Sequence, residues 1–364
     1  MPILGSAGWV GPRSLPVPIV AAVLALSACA TNPPQAPAPT VQASAETDPV
    51  PGRGDAADDP AIWVNAGNLA ESLIIGTDKK RGLNTYRLDG RLRQSLPVGR
   101  MNNVDLRDGF EIDGRRVTIV AASDRDRNAI ALFALSPEGP DLTDVADGLR
   151  ATGLAEIYGL CMYADRNRGT LFVFVNDKDG RFQQHELIPS ADGKRISTRI
   201  VREFRLATQP EGCVADDELG WLYVGEEGFG FYRMAAAPDA ATDLVAVDSV
   251  GKGSLVADVE GLAIYRANGG GGFLVVSSQG DNAYALYRRA PPNEYVARFR
   301  IVDGAAVDGA SATDGLEVTS ISLPAPYTEG LLVVQDGDNT LPRAPQNFKL
   351  VPWSEVRRAL QLEP

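Results

Sequence analysis

The sequence predicts an all-β fold, a six-bladed β-propeller, and three observations predict it. One short pattern recurs six times: DDPAIWV (58–64), NNVDLR (102–107), IYGLCMY (157–163), PEGCVAD (210–216), VEGLAIY (259–265) and TDGLEVT (313–319), each a polar group ahead of a small or turn-permitting residue and a short apolar run. A second series interleaves with it: LIIGTDKKRGLNTYRL, TIVAASDRDRNAIALFAL, LFVFVNDKDGRFQQHEL, LYVGEEGFGFYRM, FLVVSSQGDNAYALYRR and LLVVQDGDNTLPRAPQNFKLV. Here an apolar strand runs into a polar turn and returns, the hairpin pattern. The third observation is the period: from Asp59 to Asn103, Tyr158, Glu211, Glu260 and Asp314 the spacings are 44, 55, 53, 49 and 54. Copies of about fifty residues, each holding several short strands, are the signature of radially repeated blades.

Taken in chain order, the first element is a targeting segment. Residues 17–30, VPIVAAVLALSACA, form an apolar run after Arg13 that ends in small residues, so residues 1–28 read as a signal peptide. Leu26, Ser27, Ala28 and Cys29 resemble a bacterial lipobox, which makes Cys29 the lipidated N-terminus of an outer-membrane-anchored protein; ordinary cleavage with periplasmic or extracellular release is the alternative. Residues 29–50 read as a Pro/Ala-rich tether and 51–364 as the propeller. Helical signals are scarce, and SEVRRALQL near the C-terminus, with Ser354 as its N-cap, is the one clear case.

Composition narrows the function. Apolar residues at 44% indicate a globular core, and a net charge of -12 argues against a nucleic-acid partner, which needs a basic face. A monomer is expected, touching membrane only through the lipid. With Cys29 set aside, Cys161 and Cys213 lie in apolar strands, where buried free thiols are the first reading and a single bridge in an exported protein the second. One histidine, His185, disfavours zinc or copper. Asp124, Asp126 and Asn128 begin like an EF-hand, but Ala129 and Leu135 stand where Gly and Glu are needed.

Radial repetition gathers equivalent positions at one channel mouth. The first series contributes Asp58, Asp59, Asn103, Tyr158, Glu211, Asp258, Glu260 and Asp314. The second adds Asp78, Lys79, Lys80, Arg125, Asp177, Lys178, Asp179, Glu226, Glu227, Gln279 and Asp336. So many carboxylates cannot crowd together bare, because like charges raise one another's pKa or recruit counterions. Calcium, which takes six to eight oxygen ligands, suits a set that offers oxygen and almost nothing else. In QPEGCVADDELGWLYVGEE (209–227), Glu211, Glu226 and Glu227 are expected at the channel, whereas Asp216, Asp217 and Glu218 read as a solvated hairpin turn.

The stretches DDPAIWVN, GTDKKRGLNTY, LPVGRMNNVDLR, IYGLCMY, FVFVNDKDGR, QPEGCVADDELGWLYVGEE, DVEGLAIY, SSQGDNAYALY, DGASATDGLEV and QNFKLVPW closely resemble the calcium-dependent β-propeller phytases, in order and in every blade over residues 51–353. The resemblance implies hydrolysis of phytate, myo-inositol hexakisphosphate, to lower inositol phosphates and orthophosphate by a metal-activated water. It implies that Glu211, Tyr158, Asp258, Glu260, Asp314, Glu227 and Gln279 surround calcium ions and the scissile phosphate. Lys79, Lys80, Arg125 and Lys178 match phosphate-holding positions, while Asp59, the carbonyls of Pro60 and Val104, Asp308 and Asp336 match tighter structural calcium positions. The chain departs from the family at Asp124, a carboxylate beside Arg125 that weakens phosphate binding there or adds a metal ligand. Two rivals remain open: a calcium propeller hydrolase of the lactonase or phosphotriesterase type, and a non-enzymatic surface module that calcium only stabilises.

Overall fold

The computed structural model describes residues 38–363 apart from position 137, together with the isolated positions 1, 2, 5 and 8. The expected signal peptide, Cys29 and the tether as far as residue 37 lie otherwise outside the described residues. Residues 1–36 are one unit and residues 37–364 another, and the propeller belongs wholly to the second.

Six sheets form that propeller. Their inner strands are Ala57–Trp63, Met101–Ile112, Ile157–Asp165, Pro210–Asp216, Val259–Arg266 and Leu316–Thr319, in blades 1 to 6 respectively. Each inner strand pairs antiparallel with the next strand in sequence, and the sheets run outward as meanders. Apolar side chains meet between blades rather than within them. Trp63, Ile75, Val104 and Phe133 fill the space between blades 1 and 2, and Cys161, Phe174, Phe182, Leu222 and Val224 that between blades 3 and 4. Four further clusters occupy the other four junctions. Burial of each large side chain stabilises by about 1.5–3 kcal/mol, so every blade is held by both neighbours.

The start of the chain corrects the expected tether. Ala45–Glu46 pairs antiparallel with Asn347–Pro352 and completes blade 6, and Thr40–Val41 adds in parallel to Tyr295–Ile301 at the edge of blade 5. The ring is thus closed by residues about 300 positions apart, which covers two exposed edges. The C-terminal helix also shifts: it spans Trp353–Ala359 with Pro352 at the N-cap, so Ser354 lies inside it. Its start is set by Trp353, buried and stacked 4.1 Å from Tyr265.

Cys161 and Cys213 form a disulfide, overturning the reading of two free thiols. Both are buried in apolar surroundings as expected, but the inner strands of blades 3 and 4 are neighbours, and their Cα atoms stand 5.6 Å apart, a bridging distance.

Candidate functional site

The mouth of the channel is built at a defect that repeats around the ring. In blades 1 to 5 the inner strand slips register against its partner between Ala57 and Pro60, Met101 and Val104, Ile157 and Leu160, Pro210 and Cys213, and Val259 and Leu262. A bulge of this kind re-aims side chains next to a site. Asp58, Asp59, Asn103, Tyr158, Glu211 and Glu260 all lie within these slips, and Asp314 precedes the inner strand of blade 6 at the equivalent place. The glycine after four of them lets adjacent blades close up. A Cβ on Gly159 would stand 2.0 Å from the Glu211 carbonyl oxygen, and one on Gly261 2.8 Å from that of Asp314. Backbone bonds cross at the same points: Gly261 N donates to Asp314 O and Gly315 N to Asp58 O.

The acids gathered here are poorly solvated. Asp58, Glu211 and Glu260 are buried, and one oxygen each of Asp58 and Glu211 has no hydrogen-bond partner. Burial pushes Asp58 up to about 8, with Lys79 pulling it down and Asp314 adding to the rise. Burial likewise lifts Glu211 well above the carboxylate range, helped by Glu260, Asp58, Asp314 and Glu227, and lifts Glu260 together with Asp314 and Glu227. These mutual effects come from blades 1, 4, 5 and 6, so the acids share one field. Asp258 is exposed at the rim, and Gln279, in the next hairpin, donates to Asp314 Oδ1 at 2.7 Å. Gln209, which the sequence reading passed over, fixes Glu227 Oε1 at 2.5 Å.

Cations answer the acids at two places. Lys79, a predicted phosphate ligand, is buried, and its ammonium sits 2.5 Å from Asp55, 3.2 Å from Asp58 and 2.8 Å from Asp314. Arg125 and Lys178 instead lie over the Tyr158 ring, 5.4 and 4.5 Å from its centroid. Asn102 holds Arg125 Nη1 at 3.0 Å, and Glu156 faces both cations. Burial, then Glu211 and Asp58, keep the Tyr158 hydroxyl protonated by raising its pKa. Lys80 is exposed.

Asp124 touches neither Arg125 nor the mouth. Its carboxylate, buried, closes its own turn by accepting from the Asp126 and Arg127 amides and from Arg127 Nε at 2.5 Å. The same geometry absorbs other acids of the hairpin series. Asp78 accepts from Lys80 N and Gly52 N, Asp177 from Ala155 N and Asp179 N, and Glu226 from Thr208 N and Tyr232 Oη. They tie each hairpin to the segment entering its blade. In DDELG the turn is structural but not solvated as expected: Asp216 is buried with Arg289, which binds both its oxygens at 2.6 Å, and Asp217 pairs with Arg107 at 2.8 Å.

The predicted metal positions separate into three places. Glu211, Glu227, Asp258, Glu260, Gln279 and Asp314 belong to the mouth. Asp59 lies with Pro60 and Val104 on adjoining inner strands, its Oδ2 accepting from Val104 N at 3.0 Å and its pKa raised by burial. Asp308 and Asp336 stand apart around Lys349, whose ammonium, fully buried, contacts Asp308, lies 2.5 Å from Glu46 and 3.2 Å from Asp336. Although burial opposes it, that ammonium holds the Asp308 carboxyl below its usual range. One ammonium offsets only part of the charge of three carboxylates, and Asp336 Oδ2, buried, keeps no hydrogen-bond partner. Nothing local in the sequence foretells this, since Glu46 and Lys349 come from opposite ends of the chain. Among the described residues no group of three or more acidic, Cys or His side chains stands ready to hold a metal ion, so the mouth is not a finished cage. The donor set nonetheless fits a hard cation: it is all oxygen, partly unpartnered and mutually repelling.

A six-bladed propeller with an acid-filled mouth beside a cation pair on an aromatic ring defines a class, that of propellers that handle an anionic substrate at one end of the channel. The particular family follows from comparison: a profile described as Phytase matches residues 15–364, and the chain belongs to the phytase family. It is 41% identical over 326 residues to the 3-phytase of Bacillus subtilis (strain 168), across 88% of this chain and 85% of that one. Its activity is phytate hydrolysis, which removes the two rival readings. Among solved structures it is similar to a calcium-binding protein, regucalcin, from Agrobacterium tumefaciens (TM-score 0.51, 13% identity, 86% of this chain and 97% of that one). A protein of unknown function from Bacteroides thetaiotaomicron is similar too (TM-score 0.53, 9% identity, 85% and 73%). At these identities the two structures speak to the fold alone.

Proposed function

We propose that phytate hydrolysis by this chain depends on calcium held at the mouth by Glu211, Glu227, Asp258, Glu260, Gln279 and Asp314, with Asp59 and the Pro60 and Val104 carbonyls as a second position. The observation that carries the reading is the pair of buried, unpartnered carboxylate oxygens on Asp58 and Glu211 among acids that raise one another's pKa. Calcium bound there supplies charge neutralisation at the phosphoryl oxygens and acidifies a water.

The chain's own groups do the rest. Arg125 and Lys178, braced on Tyr158, take the non-bridging oxygens of the scissile phosphate, and exposed Lys80 meets an outlying phosphate of the polyanion. Lys79 joins them once its carboxylate partners are engaged elsewhere. Glu211, ionised, accepts the proton of the attacking water as the new O–P bond forms; the inositol oxygen leaves and takes a proton from solvent or a lysine. Tyr158, kept protonated, donates a hydrogen bond at the same place. Asp308 and Asp336 form a third position, since with Glu46 they set three carboxylates around one ammonium and leave Asp336 Oδ2 unpartnered. Export and a lipid on Cys29 remain the reading of the N-terminus, and the Cys161–Cys213 bridge supports an oxidising compartment.

Melting tests the metal directly. Calcium added to chelator-treated protein should raise the melting temperature with concentration, because a ligand bound only by the folded state stabilises it by mass action. Unchanged melting and full activity after exhaustive EGTA treatment would overturn the proposal.

A further inference from the structure

We infer that Glu156 is a binding-site residue that occupies the phosphate cradle in the absence of substrate and sets how tightly phosphate binds there. The inference rests on the reading of Arg125 and Lys178 as phosphate ligands. A single carboxylate oxygen, Glu156 Oε1, lies 3.4 Å from Lys178 Nζ and 3.7 Å from Arg125 Nη2. Both cations are placed independently of it: each lies over the Tyr158 ring, Arg125 is held by Asn102, and Lys178 sits at a hairpin whose turn Asp177 closes. Two fixed positive groups around one oxygen is the arrangement an incoming phosphate oxygen would meet, and a carboxylate already stands in it.

Glu156 is also free to leave. Its side chain is 56% exposed, and among the described residues no hydrogen bond or ion pair other than these two holds its carboxylate. It precedes the inner strand of blade 3 by one residue and stands two before Tyr158, so its backbone is anchored while its side chain swings. A phosphate entering the cradle displaces the carboxylate and competes with it for Lys178 and Arg125. The exchange also speeds departure of orthophosphate, since Glu156 returns as the product leaves. The displacement costs every incoming anion the same, so it lowers affinity across ligands, and a doubly negative phosphate monoester still binds the two cations best.

The test is inhibition by inorganic phosphate and the KM for phytate in Glu156→Gln, Glu156→Asp and the wild type, at one free-calcium concentration and with melting temperatures matched. Losing the competitor should lower both Ki and KM by about three- to tenfold, the worth of one or two exposed ion pairs, with Glu156→Asp between Gln and wild type. Relief of simple competition should tighten monoester and sulfate ester by the same factor, leaving the ratio of their inhibition constants unmoved. Unchanged or weaker phosphate binding in a folded Glu156→Gln would overturn the inference, and a weaker one would make Glu156 a brace for the two cations. Arg125→Ala and Lys178→Ala run alongside separate the two levels: if they weaken phosphate binding while Glu156→Gln does not tighten it, only this inference fails. If neither Ala variant changes phosphate binding, the cradle itself is misassigned.

Discussion

Asp58 shows how one residue's surroundings set the working conditions of the site. Buried beside Asp314 and Lys79, its carboxyl is raised from the usual value to about 8, and Glu211 and Glu260 move the same way. A raised acid favours the folded state while protonated, so its contribution to the metal-free protein is complete below the unfolded pKa near 4. It is lost as pH climbs through the folded value near 8. Calcium requires the ionised oxygens, and its binding must therefore expel protons. The calcium concentration for half activity should fall as pH rises from 6 to 8, about tenfold per unit for each proton released. Calorimetric titration in buffers of different ionisation enthalpy counts those protons; a midpoint independent of pH, with no proton released, would refute the argument. The candidate acids themselves were legible, because a polar residue ahead of the inner-strand run in a sixfold repeat marks a channel position. What their side chains touch was not. Lys79 reads as a phosphate ligand in a basic turn until Asp55, Asp58 and Asp314 are seen around it, and Asp124 reads as a threat to Arg125 until it turns away to its own loop.

At the scale of strands and blades, the defect matters as much as the regular ladder. Five inner strands slip register where the site residues lie, and Gly159, Gly212, Gly261 and Gly315 permit the close approach that sets one blade's acid against the next. The strands were readable from their apolar runs and turns, but a slip of register leaves no local signal, since it is decided by pairing across a sheet. The same limit left the disulfide as the second reading: two apolar strands 52 residues apart belong to consecutive repeats, but the facing of their side chains is decided only when blades 3 and 4 are side by side. Closing a loop of that length stabilises by roughly 4 kcal/mol in the chain-entropy model. The double variant Cys161→Ala, Cys213→Ala should lose about that much unfolding free energy in guanidinium titration. A loss under about 1 kcal/mol would show that packing between these blades, not the bridge, holds them.

For the whole molecule, the sixfold period was legible because each blade repeats the same polar-to-apolar step at nearly constant spacing. Closure was not, because Thr40–Val41 and Ala45–Glu46 sit in a Pro/Ala-rich stretch and become strands only through partners about 260 and about 300 residues away. That closure also brings Glu46 to Lys349, placing a built-in cation where a structural metal was expected. What the fold accomplishes is to bring acids from blades 1, 4, 5 and 6 to one mouth while keeping Arg125 and Lys178, from blades 2 and 3, on its other side. The central claim is that these two halves do different work, acids through calcium and bases on phosphate. Phosphate release from phytate against free calcium, measured across a range of phytate concentrations for wild type, Lys178→Ala, Arg125→Ala, Glu211→Gln and Glu260→Gln, tests it most directly. The basic variants should lose about ten- to a hundredfold in kcat/KM with their calcium midpoints unmoved, the worth of one charge-assisted contact of about 1.5–3 kcal/mol. The acidic variants should need several-fold more calcium for half activity, with Glu260→Gln recovering at high calcium more fully than Glu211→Gln. Equal displacement of the calcium curve in both sets, or activity that ignores calcium altogether, would contradict the account.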